Sequence, residues 1–182
     1  MLELSLHILD IAENAVRAQA RNVSIMLTEE PLKDILILEI RDDGKGMTED
    51  ELKRVLDPFY TTKKVRRVGL GLPMLAQAAQ NAGGWFEIDS QPSAGTIVRV
   101  AFRLSHIDRQ PLGDLRGTLV TLIAGSPDIH FTYRHERGED AYVLDTDEIK
   151  GEIEDVPINH VEVLKLIRQD ISEGLKKINA QA

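Results

Sequence analysis

The sequence predicts an α/β (α+β) fold, a two-layer sandwich in which helices cover one face of a mixed, mostly antiparallel sheet. Three observations support this prediction. Apolar residues from Leu4 to Ala18 recur at the spacing of a helix. Apolar runs of strand length then occur in two pairs, and each pair is separated by a polar turn. Between the two pairs, glycine loops lead into segments with helical spacing.

Each element before residue 105 has its own local signal. Thr48, with Glu51 three residues on, forms a capping box that opens a helix. Gly83 and Gly84 end the next helix, since glycine is the residue that most often follows a helix. The predicted elements are, in chain order, a helix over the first twenty residues, strands over 23–27 and 35–40, helices over 48–55 and up to Asn81, and strands over 85–90 and 96–104.

Residues 105–182 form a second unit, a small α+β extension after a linker at 106–113. Helical spacing over 112–123 is followed by two strand-like runs around a polar turn, and Asn159 caps a last helix. That helix carries an apolar stripe, which has to be covered by other apolar surface. We therefore expect residues 105–182 to pack on residues 1–104. The stripe consists of Leu164, Ile167, Ile171, Leu175 and Ile178.

Composition excludes several classes of function. Among the 182 residues 42% are hydrophobic, there is no cysteine, and the formal net charge is −8. Without cysteine there are no disulfides, iron–sulfur clusters or thiolate zinc sites. The negative charge disfavours binding to nucleic acid, and no apolar run is long enough to cross a membrane. The N-terminal stretch lacks the basic start of a secretory signal, so we expect a cytoplasmic protein that binds neither nucleic acid nor a membrane.

The first helix carries Asp10 and Asn14, four residues apart and therefore on one face. Together a carboxylate and a carboxamide can hold a metal ion and orient a water molecule. Polar pairs on amphipathic helices are more often simply solvated, so the pair alone leaves both interpretations open.

Two glycine loops are candidate ligand sites. In the first, Asp42 follows an apolar strand and can accept from an exocyclic amine, while Gly44 and Gly46 let the backbone approach a flat ligand. The second, Gly69-Leu70-Gly71-Leu72, opens a helix whose N–H groups can cradle phosphate. Four cations, Lys63 among them, stand just before it. The alternatives are a tight acidic turn, a flexible loop and a solvated charge run.

The order and spacing of these motifs is more specific than any one of them. An Asn-bearing helix, Asp-x-Gly-x-Gly at 42–46, DPFYTTK at 57–63, GLGL at 69–72, and Gly95-Thr96 in a strand pair occur in sequence. The series resembles the GHKL superfamily of ATP-binding domains, which includes gyrase, the large heat-shock chaperone, mismatch-repair ATPases and histidine kinases. The resemblance covers about residues 1–104 and implies the Bergerat type of sandwich, with ATP and Mg²⁺ as ligands.

Carried over position by position, the resemblance implies a role for each residue. Asn14 coordinates Mg²⁺ that bridges the phosphates. Asp42 accepts from the adenine amino group, Gly44 and Gly46 shape the floor under the base, and Thr96 helps to hold a water. Asp10 falls where several of these ATPases place a general-base Glu, although its side chain is one methylene shorter. The remaining implied contacts, around the phosphates, are those of Lys63, Gly69, Leu70, Gly71 and Leu72.

In one respect the sequence departs from the histidine-kinase pattern: it begins at the first motif, so we expect a stand-alone form without the helical hairpin that carries a phosphoacceptor histidine. His7 is not in that setting and is interpreted as a partly buried structural residue. The leading hypothesis is a regulatory Mg-ATP-binding protein that hydrolyses ATP or passes its γ-phosphate to a separate partner protein, like a histidine kinase or an anti-sigma-factor kinase. The alternative is a non-catalytic ATP sensor that binds a partner through residues 105–182. The partner is not identified, and a homodimer is left open.

Overall fold

The structure is a computed structural model in which residues 3–55 and 71–180 are described. No helix within these two ranges is long and apolar enough to cross a bilayer. In chain order the elements are α1 (Leu4–Arg17), β1 (Asn22–Glu30), β2 (Ile35–Asp42), α2 (Glu49–Arg54), α3 (Gly71–Asn81), β3 (Trp85–Gln91), β4 (Gly95–Arg103), α4 (Leu115–Gly125), β5 (His130–Arg137), β6 (Asp140–Asp145), α5 (Thr146–Glu152) and α6 (Val161–Lys177).

The described strands form one sheet in the order β3-β4-β2-β1-β5-β6. Every pairing is antiparallel except that of β1 with β5, which is parallel. The predicted mixed, mostly antiparallel sheet is therefore confirmed, and the fold class with it.

Alternation along the strands places the core on one face of the sheet. In β2, Leu36, Leu38 and Ile40 are buried, whereas Ile37 and Glu39 between them are only partly so. Helices α1, α3 and α6 pack against strands of this sheet, and α4 fills the space between α1 and α6. The sheet face that carries Leu36, Leu38 and Ile40 thus forms a single core with the helices that pack on it.

The C-terminal segment contributes strands to the same sheet. Strand β5 lies beside β1 with Tyr133 opposite Ile25, and both side chains are buried. Helix α6 buries Ile167, Ile171 and Leu175 towards β6 and α4. The division of the chain into an ATP-binding domain and an extension at residue 104 stays a prediction, but hydrogen-bonded strands join the two sides of that boundary.

Buried polar groups line the join between β1 and β5. Glu29 and His135 are both fully buried, and His135 Nε2 lies 2.8 Å from Glu29 Oε1. The other ring nitrogen, Nδ1, lies 2.8 Å from the Tyr133 hydroxyl. Arg137 Nε stands 3.7 Å from Glu29 Oε2. Because a buried carboxylate is costly unless it is paired, this network favours one register of β5 against β1.

Three local predictions differ from the structure. The helix expected from 112 begins at Leu115, because Asp114 Oδ1 accepts from the Gly117 amide at 2.8 Å and caps it. The last helix is capped by the His160 ring, not by Asn159, through a 3.3 Å bond from the Glu162 amide to Nδ1. Helix α5 was not predicted, although Asp145 accepts from the amides that open it.

Candidate nucleotide site

Helix α1 presents Asp10 and Asn14 on one face, both half-buried. The Asn14 amide nitrogen lies 3.5 Å from Asp10 Oδ2. Its amide oxygen accepts from Arg17 Nη1 at 2.7 Å, and Arg17 also pairs with Glu13. The structure therefore brings the predicted acid and the predicted metal ligand into contact. The Arg17 side chain, one turn further along α1, occupies the amide oxygen of Asn14.

The start of α3 lies directly against Asp10. A Cβ atom placed on Gly71, the first residue of α3, would stand 1.8 Å from Asp10 Oδ2, so only glycine fits there without displacing the carboxylate. Leu72, the next residue, packs against the core. The second glycine motif thus ends beside the acid of α1.

His7, one turn before Asp10, is buried at 1% exposure, so the expected partial burial was an underestimate. Its Nε2 lies 3.0 Å from Gln110 Oε1 in the linker after β4. Burial lowers the pKa of the imidazole, with opposing contributions from Gln110, Asp10 and the Gly71 backbone. His7 is therefore a buried, neutral residue one turn of α1 before Asp10.

The loop at 42–46 docks on the other end of α1. Asp42 ends β2, and its Oδ1 accepts from the Gly44 amide at 2.8 Å. A Cβ on Gly44 would stand 2.9 Å from both the Cβ and the carbonyl oxygen of Ala18. The Lys45 amide donates to the same carbonyl at 2.9 Å. The first glycine is required because the loop backbone lies against the C-terminal end of α1.

The same loop is fixed from the opposite side by the β3–β4 turn. Gly46 has φ +63°, and a Cβ there would stand 1.9 Å from the Gln91 carbonyl oxygen. The Lys45 carbonyl accepts from the Ser93 amide at 2.7 Å. The packing of the loop therefore requires both glycines named from the sequence, whether or not a ligand is bound.

Asp42 and Thr96 face each other across β2 and β4, where they are partners in the strand register. Burial raises the pKa of the Asp42 carboxyl and the neighbouring Asp43 adds to the effect, while the Gly44 and Thr96 amides oppose it. The structure thus brings together the carboxylate and the hydroxyl that sequence reasoning assigned to one base.

Helix α1 connects the two halves of the site. From Asp10 to Ala18 the helix advances by about 12 Å, at roughly 1.5 Å per residue. The 42–46 loop contacts Ala18, Asn14 lies one turn back, and Asp10 with Gly71 lies a further turn back. This linear array suits a flat base at one end and a chain of charged groups at the other.

Several predicted site residues cannot be placed in this array. Lys63, Gly69 and Leu70 lie outside the described residues, as does the basic stretch before the second glycine motif. Within residues 3–55 and 71–180, no group of three or more His, Cys, Asp or Glu side chains is arranged to hold a metal ion. A metal at Asn14 would therefore depend on oxygen ligands from a bound molecule and from water.

Sequence reasoning missed Asp43. Its Oδ1 accepts from the Arg21 and Asn22 amides at 2.7 and 2.9 Å, and its Oδ2 accepts from the Asn22 side chain at 2.7 Å. Asp43 therefore fastens the loop at 42–46, which we call the base-side loop, to the start of β1. The motif spacing indicated Asp42, but no local signal indicated the contacts of Asp43, because its partners Arg21 and Asn22 are distant in the sequence.

The fold is that of a nucleotide-binding domain of the ATPase type, a two-layer sandwich, and its candidate site lies between α1, α3 and a glycine loop. The model of the family of histidine kinase-, DNA gyrase B- and HSP90-like ATPases matches residues 2–106. The chain belongs to this family, and the sequence-based assignment to the GHKL superfamily is confirmed.

Curated relatives include histidine kinases. Sporulation kinase E of Bacillus subtilis (strain 168) is 34% identical over 93 residues, which is 50% of this chain and 12% of the relative. The cell-division control histidine kinase PdhS of Brucella anthropi is 31% identical over 108 residues, 52% of this chain and 10% of the relative. The chain thus corresponds to a small part of these much longer proteins.

Solved structures share the fold. The Aquifex aeolicus MutL ATPase domain complexed with ADP aligns with a TM-score of 0.55 at 14% identity, covering 85% of this chain and 68% of that one. The N-terminal domain of a DNA repair protein gives a TM-score of 0.57 at 13% identity, covering 80% and 53%. At this identity the likeness shows the fold alone.

Proposed function

We propose that this protein is a regulatory protein that binds Mg-ATP and hydrolyses it or passes its γ-phosphate to a separate partner protein. The observation that carries the proposal is the meeting of Asp10, Asn14 and the first residue of α3 at one point of α1. The base-side loop meets the same helix about 12 Å away. Family membership and the histidine-kinase relatives support the proposal.

Each group in the array has a role in this function. Asp42 and Thr96 take the base, and the backbone at the start of α3 takes the phosphates, because a helix N-terminus favours anions. Asn14 supplies a neutral oxygen to Mg²⁺, and the residues present fit that ion, since magnesium keeps water and phosphate oxygens as its other ligands. When bound, Mg²⁺ neutralises charge on the phosphates. Arg17 has to release the Asn14 oxygen that it now holds at 2.7 Å.

Asp10 is the proposed acid–base residue. In this proposal its carboxylate accepts a proton from the group that attacks the terminal phosphate, which is water in hydrolysis or a partner's side chain in transfer. Positioning and charge neutralisation do most of the work in phosphoryl transfer, so a single acceptor suffices.

A non-catalytic ATP sensor is the second candidate, and a chain of contacts favours it. Asn22 Nδ2 donates to Asp43 in the base-side loop at 2.7 Å, and Asn22 Oδ1 lies 3.0 Å from His130 Nδ1 on β5. A movement of the loop on binding ATP is thereby passed to the C-terminal segment, which then presents a changed surface to a partner protein.

Asp10→Asn separates the two candidates. We expect ATP binding to persist, because the amide keeps the size of the side chain, while turnover falls by about a hundredfold or more, since general acid–base catalysis typically contributes ~10²–10⁴-fold. Turnover is measured by following the labelled γ-phosphate of ATP, which can pass to water, to a partner protein or to neither. Calorimetry measures the affinity for ATP. Parent protein that binds ATP and leaves the label in place, with and without partners, would instead support the sensor.

Asn14 gives a second prediction. Asn14→Asp sets a second carboxylate beside Asp10, where the amide nitrogen now lies 3.5 Å from Oδ2, so repulsion and the lost amide should weaken Mg-dependent ATP binding about tenfold or more. Asn14→Ala should act in the same direction with little change in melting temperature. Asn81→Asp, which adds the same charge at the exposed C-terminal end of α3, is the matched control. Titrations with and without Mg²⁺ that cannot tell these variants from the parent would remove Asn14 from the metal site.

A further inference from the structure

The side chain of Ser90, near the end of β3, stands at the centre of the base-side loop. Its Oγ receives a hydrogen bond from the Met47 amide at 2.9 Å, which fixes the residue after Gly46. The same Oγ lies 2.9 Å from the Gly95 carbonyl oxygen and 3.0 Å from Thr96 Oγ1. Ser90 therefore contacts the glycine loop, the β3–β4 turn and the hydroxyl that faces Asp42.

The direction of each of these bonds follows from counting protons. A serine hydroxyl has one hydrogen to donate and two lone pairs that accept. The Met47 amide can only donate, so it uses one lone pair, and the Gly95 carbonyl can only accept, so it takes the hydrogen. In the bond with Thr96, Ser90 can therefore only accept, through its second lone pair. The Thr96 hydroxyl must consequently donate its own hydrogen to Ser90.

This arrangement restricts what Thr96 can offer a ligand. With its hydrogen held by Ser90, Thr96 Oγ1 has only lone pairs left, and the Asp42 carboxylate beside it is also an acceptor. A base bound here meets two acceptors and has to present hydrogens, directly or through water. An amino group supplies them, whereas a ring carbonyl places a third acceptor against the other two.

We propose that Ser90 is a specificity-determining residue of the nucleotide site: by holding the Thr96 hydrogen, it makes the site select purines with a 6-amino group over those with a 6-oxo group. The inference rests on the proposed function, because it concerns how that site reads its base. Ser90 acts through Thr96 and is a positioning residue.

The test compares ATP with inosine triphosphate, which carries a carbonyl where ATP carries the amine. Calorimetric dissociation constants are measured on the full chain for the parent and for Ser90→Ala. Removing the serine releases the Thr96 hydrogen, which can then donate to the carbonyl. We expect the preference for ATP over inosine triphosphate to fall about tenfold, which is what one hydrogen bond contributes. Both nucleotides can weaken together from a loosened loop, so the ratio of the two constants is the readout.

Two further variants separate this role from a structural one. Ser90→Thr keeps the hydroxyl and should restore the parent's ratio. Thr96→Val removes the acceptor, so it should weaken ATP binding and lower the preference without touching Ser90. In the Thr96→Val background, Ser90→Ala should change the ratio no further, because no hydrogen is left to release. Melting temperatures accompany each measurement.

The outcomes are distinct. A parent that prefers ATP, with a lowered preference in Ser90→Ala and recovery in Ser90→Thr, supports the inference. An unchanged ratio in Ser90→Ala, or a preference for ATP that rises in Thr96→Val, overturns it while leaving ATP binding intact. A parent that binds neither nucleotide overturns the proposed function itself, and the inference falls with it.

Discussion

A chain that ends at Leu104 is expected to lose its cooperative fold. The cut removes β5, the parallel partner of β1, together with α4 and α6 that cover α1 and the sheet. Burial of an aliphatic or aromatic side chain contributes about 1.5–3 kcal/mol. The side chains of α1 and β1 that α4 and β5 cover would be exposed to water, and the net stability of an ordinary domain is only roughly 5–15 kcal/mol. The buried side chains lost from the core include Leu112, Leu115, Leu119, Leu122, Ile123, Phe131, Tyr133, Leu144, Val163, Ile167, Ile171 and Leu175.

Thermal melting by circular dichroism and size-exclusion chromatography measure this effect. The truncated chain should show no sharp transition or should aggregate, because the removed segment leaves Val23, Ile25 and Leu27 of β1 short of cover. Leu166→Ser in the full chain is a suitable control, since Leu166 is 65% exposed and its loss should leave the melting temperature unchanged. A soluble monomer of residues 1–104 that melts like the full chain would contradict the expectation and would make the extension an independent module.

The second large effect is expected from Asp42→Asn. The change keeps the shape of the side chain, and the remaining oxygen can still accept from the Gly44 amide at 2.8 Å. It places an amide N–H₂ where the base amine needs an acceptor, so two donors face each other. Hydrogen bonds to charged groups contribute about 1.5–3 kcal/mol, and we expect ATP affinity to fall about ten- to a hundredfold. Affinity for GTP should fall less, because its carbonyl can accept from the new amide.

Asp43→Asn provides the matched control for this prediction. It removes the same charge from the adjacent position, but Asp43 holds the Arg21 and Asn22 amides and faces away from Thr96 in the strand alternation. ATP and GTP titrations of both variants check the assignment. Equal affinity of the parent for ATP and GTP, or equal losses in the two variants, would take Asp42 out of its role with the base.

Local signals determined the elements that lie close together in the sequence. The apolar spacing of α1 and the Thr48–Glu51 capping box are confirmed, since the Glu51 amide donates to Thr48 Oγ1 at 3.3 Å and the Thr48 amide donates back to the Glu51 carboxylate. The two hairpins of the sheet before residue 105 are also as predicted, because each joins neighbouring strands through a short turn. Motif spacing determined the family for the same reason, as each motif lies within one loop or one helix turn.

Tertiary structure alone decided how distant parts meet. No local pattern indicated that β5 would lie parallel to β1, since a parallel pair joins residues far apart in the sequence and its register depends on buried partners such as Glu29 and His135. The same holds within the site. Motif spacing indicated Asp42 and Thr96, but that Asp43 holds the start of β1 and that Ser90 holds the Thr96 hydroxyl follow from strand register and turn packing, which the spacing does not show.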